Sequence, residues 1–328
     1  MISILYVYRD KPYNPAYLDK IFRENLCVLD FGFFLISLKT FANLKCINLS
    51  SLETFLKKYE FDHIIFDAKL KIDYDLNNFF PAIKNLINCK VSIFLGYDRL
   101  FNFNDILIFE KTFNIENYFI PNLLIDISQY NFPDELNKKF IETYFGIGFL
   151  NVQYDLEKNI FLLNKNNLPI VNSIFYSGTN TKSRQYRNLV LNYLENGLDI
   201  KDSKIITYND KSIKKKLSIQ EYIDCSKMST INLVLSGNQN NIPYRLIEMG
   251  VYNCFFIIDH HFQKYQLSKQ YDDLNSYTFS NLESIETKMK TLLNEKDFLK
   301  VLKTKQINSF NNFYSPLKHG KFLKNFLV

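Results

Sequence analysis

The chain has no tryptophan and only five cysteines among its 328 residues: Cys27, Cys46, Cys89, Cys225 and Cys254. Their odd number, wide spacing and placement mostly inside apolar runs argue against a disulfide framework and a clustered zinc site, so they read as reduced core thiols. No apolar run approaches the roughly 18 residues that span a bilayer. The opening MISILYVYRD passes from an apolar strand straight into Arg9 and Asp10, without the basic start and small-residue cleavage site of a signal peptide. The expected compartment is a reducing cytoplasm, with peripheral contact at the inner face of the membrane left open. Neither half opens with a GxGxxG loop, and no internal repeat is evident. Lys/Arg clustering is less dense than in a general nucleic-acid binder: the formal charge of +6 arises from 40 basic residues interleaved with 34 acidic ones. That excludes a general nucleic-acid binder and favours a locally positive cleft.

What is present sets the class. A hydrophobic content of 47% with 16% aromatic residues excludes disorder. The length is about twice that of a usual domain, so two domains are expected. The richness in Lys, Asn, Ile, Phe and Tyr reads as genomic bias rather than mechanism.

A βαβ rhythm runs along the first half. Strands are expected over 2–8, 63–66 (ending at Asp67), 90–95, 106–109 and 118–120, with helices over 51–59, 75–88 and 131–144. Residues 19–38 have the length of a helix, but 31–38 reads equally as a buried strand. The polar, asparagine-rich stretch 155–167 holds the junction, near Pro169, giving domains 1–165 and 166–328. The rhythm restarts with a strand over 170–176, a helix over 185–196 with Leu189, Val190 and Tyr193 at helical spacing, and a strand over 203–208. A helix over 218–227 carries Ser218 and Glu221 as a capping box. A strand over 231–235, a helical turn over 244–249 ended by Gly250, and a strand up to Ile258 follow. A charged amphipathic helix is expected over 282–299, and 308–328 reads as a terminal helix able to cross back to the first domain. The expected fold class is α/β: two open Rossmann-like domains facing a cleft, with ligands beyond the carboxyl edges of the strands.

Two turns of the second half carry candidate chemistry. In SGTNTKSR, Gly178 allows close backbone approach, Thr179 and Thr181 offer hydroxyls, and Lys182 and Arg184 bring charge to a helix N-terminus. Cations there oppose the macrodipole unless an anion sits between them; the alternative is a solvated basic turn. After Ser236 and Gly237, Tyr244 opens a helical turn on which Arg245 and Glu248 share a face. Backbone N–H groups, a guanidinium fork and a carboxylate suit a phosphate, a second phosphate oxygen and a ribose diol; the alternative is a surface Arg–Glu pair. Asp73-Tyr74-Asp75 has the form of a metal-binding DxD, yet Asp75 stands where a helix N-cap is needed. His260 and His261 point to opposite sides and do not readily share a metal. His63 reads as structural, and no metal is expected.

The order FYSGTNTKSR, LSIQEYIDCSKMSTINLVLSG, YRLIEMGVYNCFFII resembles the nucleotide-binding half of GT-B glycosyltransferases, especially the CgeB-like and exostosin-like branches. It covers about residues 170–260; the first half is similar only in rhythm. The resemblance implies a metal-independent, hexosyltransferase-like enzyme that moves a sugar from a nucleotide diphosphate sugar to a hydroxyl of a glycan or lipid-linked acceptor, in surface polysaccharide synthesis. It implies that Glu248 binds ribose hydroxyls, that Arg245 and Arg184 face the diphosphate, and that Tyr222 or Tyr244 lines the base pocket. Gly178, Thr179, Lys182, Ser236 and Gly237 complete this donor site. The retaining branch carries two glutamates eight positions apart. Asn240 stands in place of the first, which leaves the stereochemistry open. An inverting route needs a base from the first domain. Asp10, Asp67 and Asp98 each follow an expected strand, and Asp98 and Asp10 are favoured, although Asp is equally at home in turns. A nucleotide-sugar epimerase and a non-catalytic nucleotide- or glycan-binding protein stand as alternatives.

Overall fold

Alternation fails at the start of the chain. In β1 (Ile2–Tyr8) the consecutive residues Ile4, Leu5, Tyr6 and Val7 are all buried, as a parallel strand covered on both faces requires. The computed structural model describes residues 1–9, 21, 23–27, 29–67, 75–95, 103–121, 132–143, 152–163, 168–179, 185–197, 200–208, 217–236, 244–264 and 266–328. The chain divides into two units: Met1–Gly146, Asn151–Ile160 and Ser315–Val328 form the first, Ile147–Leu150 and Phe161–Tyr314 the second.

In the first unit β1 is followed by β2 (Leu26–Cys27), α1 (Leu29–Lys39), β3 (Ala42–Asn48), α2 (Leu52–Leu56), β4 (His63–Asp67), α3 (Leu76–Ile83) and β5 (Lys90–Phe94). Next come α4 (Phe103–Phe113), β6 (Asn117–Pro121), α5 (Asp134–Asn137), β7 (Phe140–Thr143) and β8 (Val152–Asp155). The unit boundary falls within β9 (Ile160–Leu162). Six strands form an all-parallel sheet in the order β3-β1-β4-β5-β6-β7. Its core is aromatic: Phe66 meets Phe80 edge-on at 5.4 Å, and Phe34 stacks on Phe94 at 4.3 Å. Such offset and edge contacts add to what the buried area contributes.

The second unit contains β10 (Asn172–Thr179), α6 (Gln185–Asn196), β11 (Ser203–Tyr208), α7 (Ile219–Lys227), β12 (Ser229–Val234), α8 (Arg245–Val251), β13 (Phe256–Asp259) and β14 (Thr278–Phe279). Then follow α9 (Leu282–Asn294) and α10 (Lys296–Phe313). Its sheet is also parallel, in the order β11-β10-β12-β13-β14. In both sheets the second strand lies on one side of the first and the third on the other. The order therefore reverses between β1 and β4 and between β10 and β12, where open sheets leave a crevice. The last helix, α11 (Pro316–Leu327), belongs to the first unit and packs on α1. Gly320 makes that approach possible, since a Cβ there would lie 2.0 Å from Thr40 Oγ1 and 2.5 Å from the Ser37 carbonyl.

Several expectations are corrected. The strand expected over 106–109 is the middle of helix α4, whose buried Ile106, Phe109 and Thr112 recur every three residues. A four-residue window was too short to show that period. The helix expected over 131–144 is a single turn, α5, followed by β7, where Phe140 stacks on Tyr118 at 4.9 Å and pairing with β6 overrides local propensity. Residues 29–39 are helical, and the ambiguity arose because Phe33, Phe34, Leu35, Ile36 and Leu38 are all buried. Residues 155–162 of the polar stretch form regular structure. A turn in which Asp155 accepts from the Glu157 and Lys158 amides joins β8 to β9. The helix over 282–299 is two helices parted at Glu295, which leaves helical geometry (φ −99°, ψ 73°). Gly250 lies inside α8 and does not end it; a Cβ there would sit 2.3 Å from the Phe310 ring of α10. On α6, Leu189 is 55% exposed, and the buried stripe is Arg187, Val190, Leu191 and Leu194. All five cysteines are free thiols, with Cys27, Cys225 and Cys254 buried.

Candidate functional site

The C-terminal ends of β10 and β12 place several polar groups around the crevice of the second sheet. Tyr176 and Gly178 are two apart on β10 and so share a face. A Cβ on Gly178 would come within 2.5 Å of the Tyr176 hydroxyl, so only glycine lets the tyrosine ring lie along the strand end. That hydroxyl is buried and has no hydrogen-bond partner among the described residues. A buried, unpaired phenol is costly and marks a place where a ligand atom can bond.

Next to it lies a line of three side chains. The Arg245 guanidinium sits over the Tyr176 ring at 4.6 Å and the Tyr222 ring at 5.5 Å. Arg245 Nε donates to the Tyr222 hydroxyl at 3.1 Å, and that hydroxyl donates to Glu248 Oε2 at 2.9 Å. The local fold aims all three. The capping box of Ser218 and Glu221 is formed in full, with Ser218 Oγ accepting from the Glu221 amide and Glu221 Oε2 from the Ser218 amide. This fixes the first turn of α7 immediately before Tyr222. Tyr244 precedes the first residue of α8 and accepts the Glu248 amide on its carbonyl. Glu248 is 7% exposed, and burial raises its pKa against the opposing pull of Arg245 and of the Tyr222 hydrogen bond. Burial, and then the Glu248 charge, push the Tyr222 phenol well up, so it stays a neutral donor. No described residue accepts from the terminal nitrogens of Arg245 or donates to Glu248 Oε1.

A second cluster secures the end of β12. Arg187, buried, donates from Nε to the Ser236 carbonyl at 3.0 Å and from one terminal nitrogen to the Leu235 and Ser236 carbonyls at 2.8 and 2.7 Å. Asp259, fully buried at the end of β13, accepts from the Ser236 amide and hydroxyl, both at 2.6 Å, and from the His261 amide at 3.1 Å. Ser236 thus has its amide, hydroxyl and carbonyl engaged inside the protein. Tyr186 meets His261 edge-on at 5.2 Å, and its buried phenol, which has no hydrogen-bond partner among the described residues, is raised to about 12 by burial and by the Asp259 charge.

Of the sequence candidates, Tyr222, Arg245 and Glu248 come together beside Gly178, and Ser236 ends the neighbouring strand. Asp10, Asp98, Lys182, Arg184, Gly237 and the side chain of Thr179 lie outside the described residues, as do Asn240, Asp73 and Tyr74. Asp75 precedes α3 and accepts from Asn78 Nδ2 at 2.8 Å. Asp67, at the crevice of the first sheet, is buried and accepts from the Tyr6 hydroxyl at 3.0 Å. His63 is buried against Ser92 at 2.8 Å. Among the described residues no cluster of three or more His, Cys, Asp or Glu is placed to hold a metal ion. In the same residues no helix is long and apolar enough to cross a membrane. Arg187, Asp259 and Tyr176 were not singled out from sequence. The one signal was charge in an apolar setting: Asp259 ends an otherwise apolar strand, and Arg187 lies in the buried stripe of its helix.

No family model matches the chain, and no curated protein matches it in sequence. Solved structures do match in fold. T4 phage BGT in complex with UDP-glucose aligns over 99% of both chains at 12% identity, with a TM-score of 0.51. An alpha1,3-fucosyltransferase with GDP-fucose aligns over 99% of this chain and 90% of its own at 10% identity, also with a TM-score of 0.51. TarM aligns over 81% of this chain at 12% identity and a TM-score of 0.50, and there the match spans about half of the neighbour, 54%. At these identities the likeness is one of fold: α/β, with two Rossmann-like domains, the GT-B fold.

Proposed function

We propose that this chain is a glycosyltransferase that takes a sugar from a nucleotide diphosphate donor and passes it to a hydroxyl of a glycan or lipid-linked acceptor. The observation that carries the reading is the Arg245–Tyr222–Glu248 line beside Gly178 and the unpaired Tyr176 hydroxyl at the crevice of the second sheet. A guanidinium whose terminal nitrogens no described residue engages suits a diphosphate, and a carboxylate with one oxygen that no described residue engages suits vicinal hydroxyls. The UDP-glucose and GDP-fucose named with two fold neighbours support that ligand class.

In this reading the second domain holds the donor, with Lys182, Arg184, Thr179, Gly237 and Tyr244 completing its site, and the first domain presents the acceptor. Positive charge around the diphosphate favours its departure without a bound metal. Asp98 or Asp10 takes the acceptor proton. The order of motifs over 170–260 supports a reading near the CgeB-like and exostosin-like branches. It works in the cytoplasm, in surface polysaccharide synthesis, with peripheral membrane contact left open.

The test combines thermal unfolding with nucleotide release, using UDP-glucose, GDP-fucose and other nucleotide sugars, with and without chelator and simple glycan acceptors. The expected result is a raised melting temperature with a nucleoside diphosphate, because a ligand of the native state stabilises by mass action. Nucleotide release should then accelerate on adding acceptor and persist with chelator. Donor-sugar conversion without release identifies an epimerase, and binding without turnover a binding protein. Absence of any nucleotide binding removes the reading.

A further inference from the structure

We propose that Tyr222 is a positioning residue of this site: its hydroxyl ties Glu248 to Arg245 and thereby fixes one carboxylate oxygen so that the other is presented to a vicinal diol of the ligand. This rests on the nucleotide reading above and specifies how that site tells a ribose from its deoxygenated forms.

The direction of the hydrogen bonds is dictated by chemistry. A guanidinium has no acceptor and an ionised carboxylate has no donor, whereas a phenol has one proton and free lone pairs. With Arg245 Nε at 3.1 Å and Glu248 Oε2 at 2.9 Å, the phenol must accept from the first and donate to the second. The hydroxyl thus bridges the guanidinium and Oε2, held in place by its ring. That ring is immobilised by Phe175 at 5.9 Å and by its place after the capping box.

No ion pair joins Arg245 directly to Glu248 among the described residues, although they lie one helical turn apart. The bridge therefore does what the i,i+3 spacing alone does not. A network serving packing alone would close on itself. Here no described residue engages Oε1 or the terminal guanidinium nitrogens, and the adjoining Tyr176 hydroxyl is buried and unpaired.

Among the described residues, the ionisable groups around Glu248 are few. They are Arg245 on its own helix, Tyr222 from α7, and Tyr252 just after α8, whose phenol is pushed to about 12 by burial and then by Glu248. Lys227 lies over the Tyr252 ring at 5.0 Å. Burial works against the charged carboxylate, and the Tyr222 hydrogen bond works for it.

The experiment measures by calorimetry the affinity of the full chain for uridine and guanosine diphosphates, each against its 2′,3′-dideoxy form. The parent should prefer the ribose form of whichever base it binds by roughly tenfold or more, the usual penalty when a charged acceptor loses its hydroxyl partner. In Tyr222→Phe that preference should fall to within about threefold while affinity for the dideoxy form stays within about threefold of the parent's. Glu248→Gln should lose the preference likewise, and the double variant should lose nothing more, since the two residues act as one unit. Arg245→Lys keeps a cation but cannot reproduce the stacked Nε donor. It should also lower the ratio, and it serves as the second probe where Tyr222→Phe folds poorly.

A parental ratio in the folded variants overturns the proposal. So does an equal loss of affinity for both forms in Tyr222→Phe, which marks a structural role. A parent that binds a nucleotide without preference, or binds none, overturns the diol assignment itself, and this inference falls with it.

Discussion

Two histidines of the first unit are buried where protonation has no room, and acid should therefore unfold this protein in a calculable way. His319 on α11 is fully buried, stacks on Phe33 at 5.4 Å and pairs through Nδ1 with Ser37 Oγ at 3.0 Å. Ser37 gives its only proton to the Phe33 carbonyl at 2.7 Å, so Nδ1 carries the hydrogen in that pair and a second proton must enter the buried ring. Burial pulls His319 down to about 3 from its ordinary 6.5, and burial, aided by Lys90, pulls His63 down to about 4. Both folded pKa values lie below the unfolded one. Their neutral forms support the fold fully above pH 6.5, and that support is lost as pH falls from 6.5 toward 4 and 3. In this window the unfolded chain binds protons that the folded chain refuses. Each histidine costs about 1.4 kcal/mol per pH unit, or about 2 kcal/mol at pH 5 relative to neutrality. Together they remove about 4 kcal/mol from a stability of typically 5–15 kcal/mol.

His319→Phe isolates one of them. The ring stacking is kept, Ser37 keeps its bond to Phe33, and the lost hydrogen bond costs about 1 kcal/mol at pH 7.5. At pH 5 the variant escapes the proton penalty of about 2 kcal/mol, so the two stabilities should cross near pH 6 and the variant should be the more stable below it. Urea unfolding followed by circular dichroism at pH 7.5, 6 and 5, with protection of the α1 amides as a second probe, gives the comparison. Carboxylates common to both proteins cancel in the difference. A variant-minus-parent difference that stays constant across this range would refute the assignment, as would a His319 ring proton titrating near 6.5 in the NMR spectrum.

Other perturbations test the packing that positions these groups. Gly320→Ala forces α11 off α1, because its Cβ would fall 2.0 Å from Thr40 Oγ1 and 2.5 Å from the Ser37 carbonyl. Overpacking of this kind costs roughly 1–3 kcal/mol and should lower the melting temperature by several degrees; an unchanged value would contradict the close crossing. Ser218→Ala removes the cap of α7 and should cost about 1 kcal/mol in urea unfolding, and no loss would mean that the cap does not hold that turn.

Elements with a complete local signal could be read from the chain alone. Gln185–Asn196 and the Ser218–Glu221 cap emerge as expected because helical spacing and the Ser-x-x-Glu pattern need only a few neighbouring residues. Strands β1, β4 and β5 were legible as apolar runs between breakers. What failed was decided by distant partners. Phe140 becomes a strand residue because Tyr118 and Phe132 await its ring. Gly250 owes its place to Phe310, sixty residues on, and not to any helix end. Gln306 of α10 brackets Phe256, accepting from its amide at 3.1 Å and donating to its carbonyl at 2.9 Å, so a helical glutamine stands in for a strand neighbour.

The candidate site shows the same division at higher stakes. Spacing put Arg245 and Glu248 on one helical face, and they are indeed one turn apart on α8. Their coupling, however, runs through a phenol contributed by α7, and the ring beneath the guanidinium comes from β10. An isolated i,i+3 pair on a solvated helix contributes only a few tenths of a kcal/mol and holds neither side chain still. The tyrosines change that: stacking removes rotamer freedom from the arginine, and the shared hydroxyl fixes one oxygen of the carboxylate. The two charges become a rigid fork and a rigid acceptor only because three elements, separate in sequence, meet at the crevice between β10 and β12.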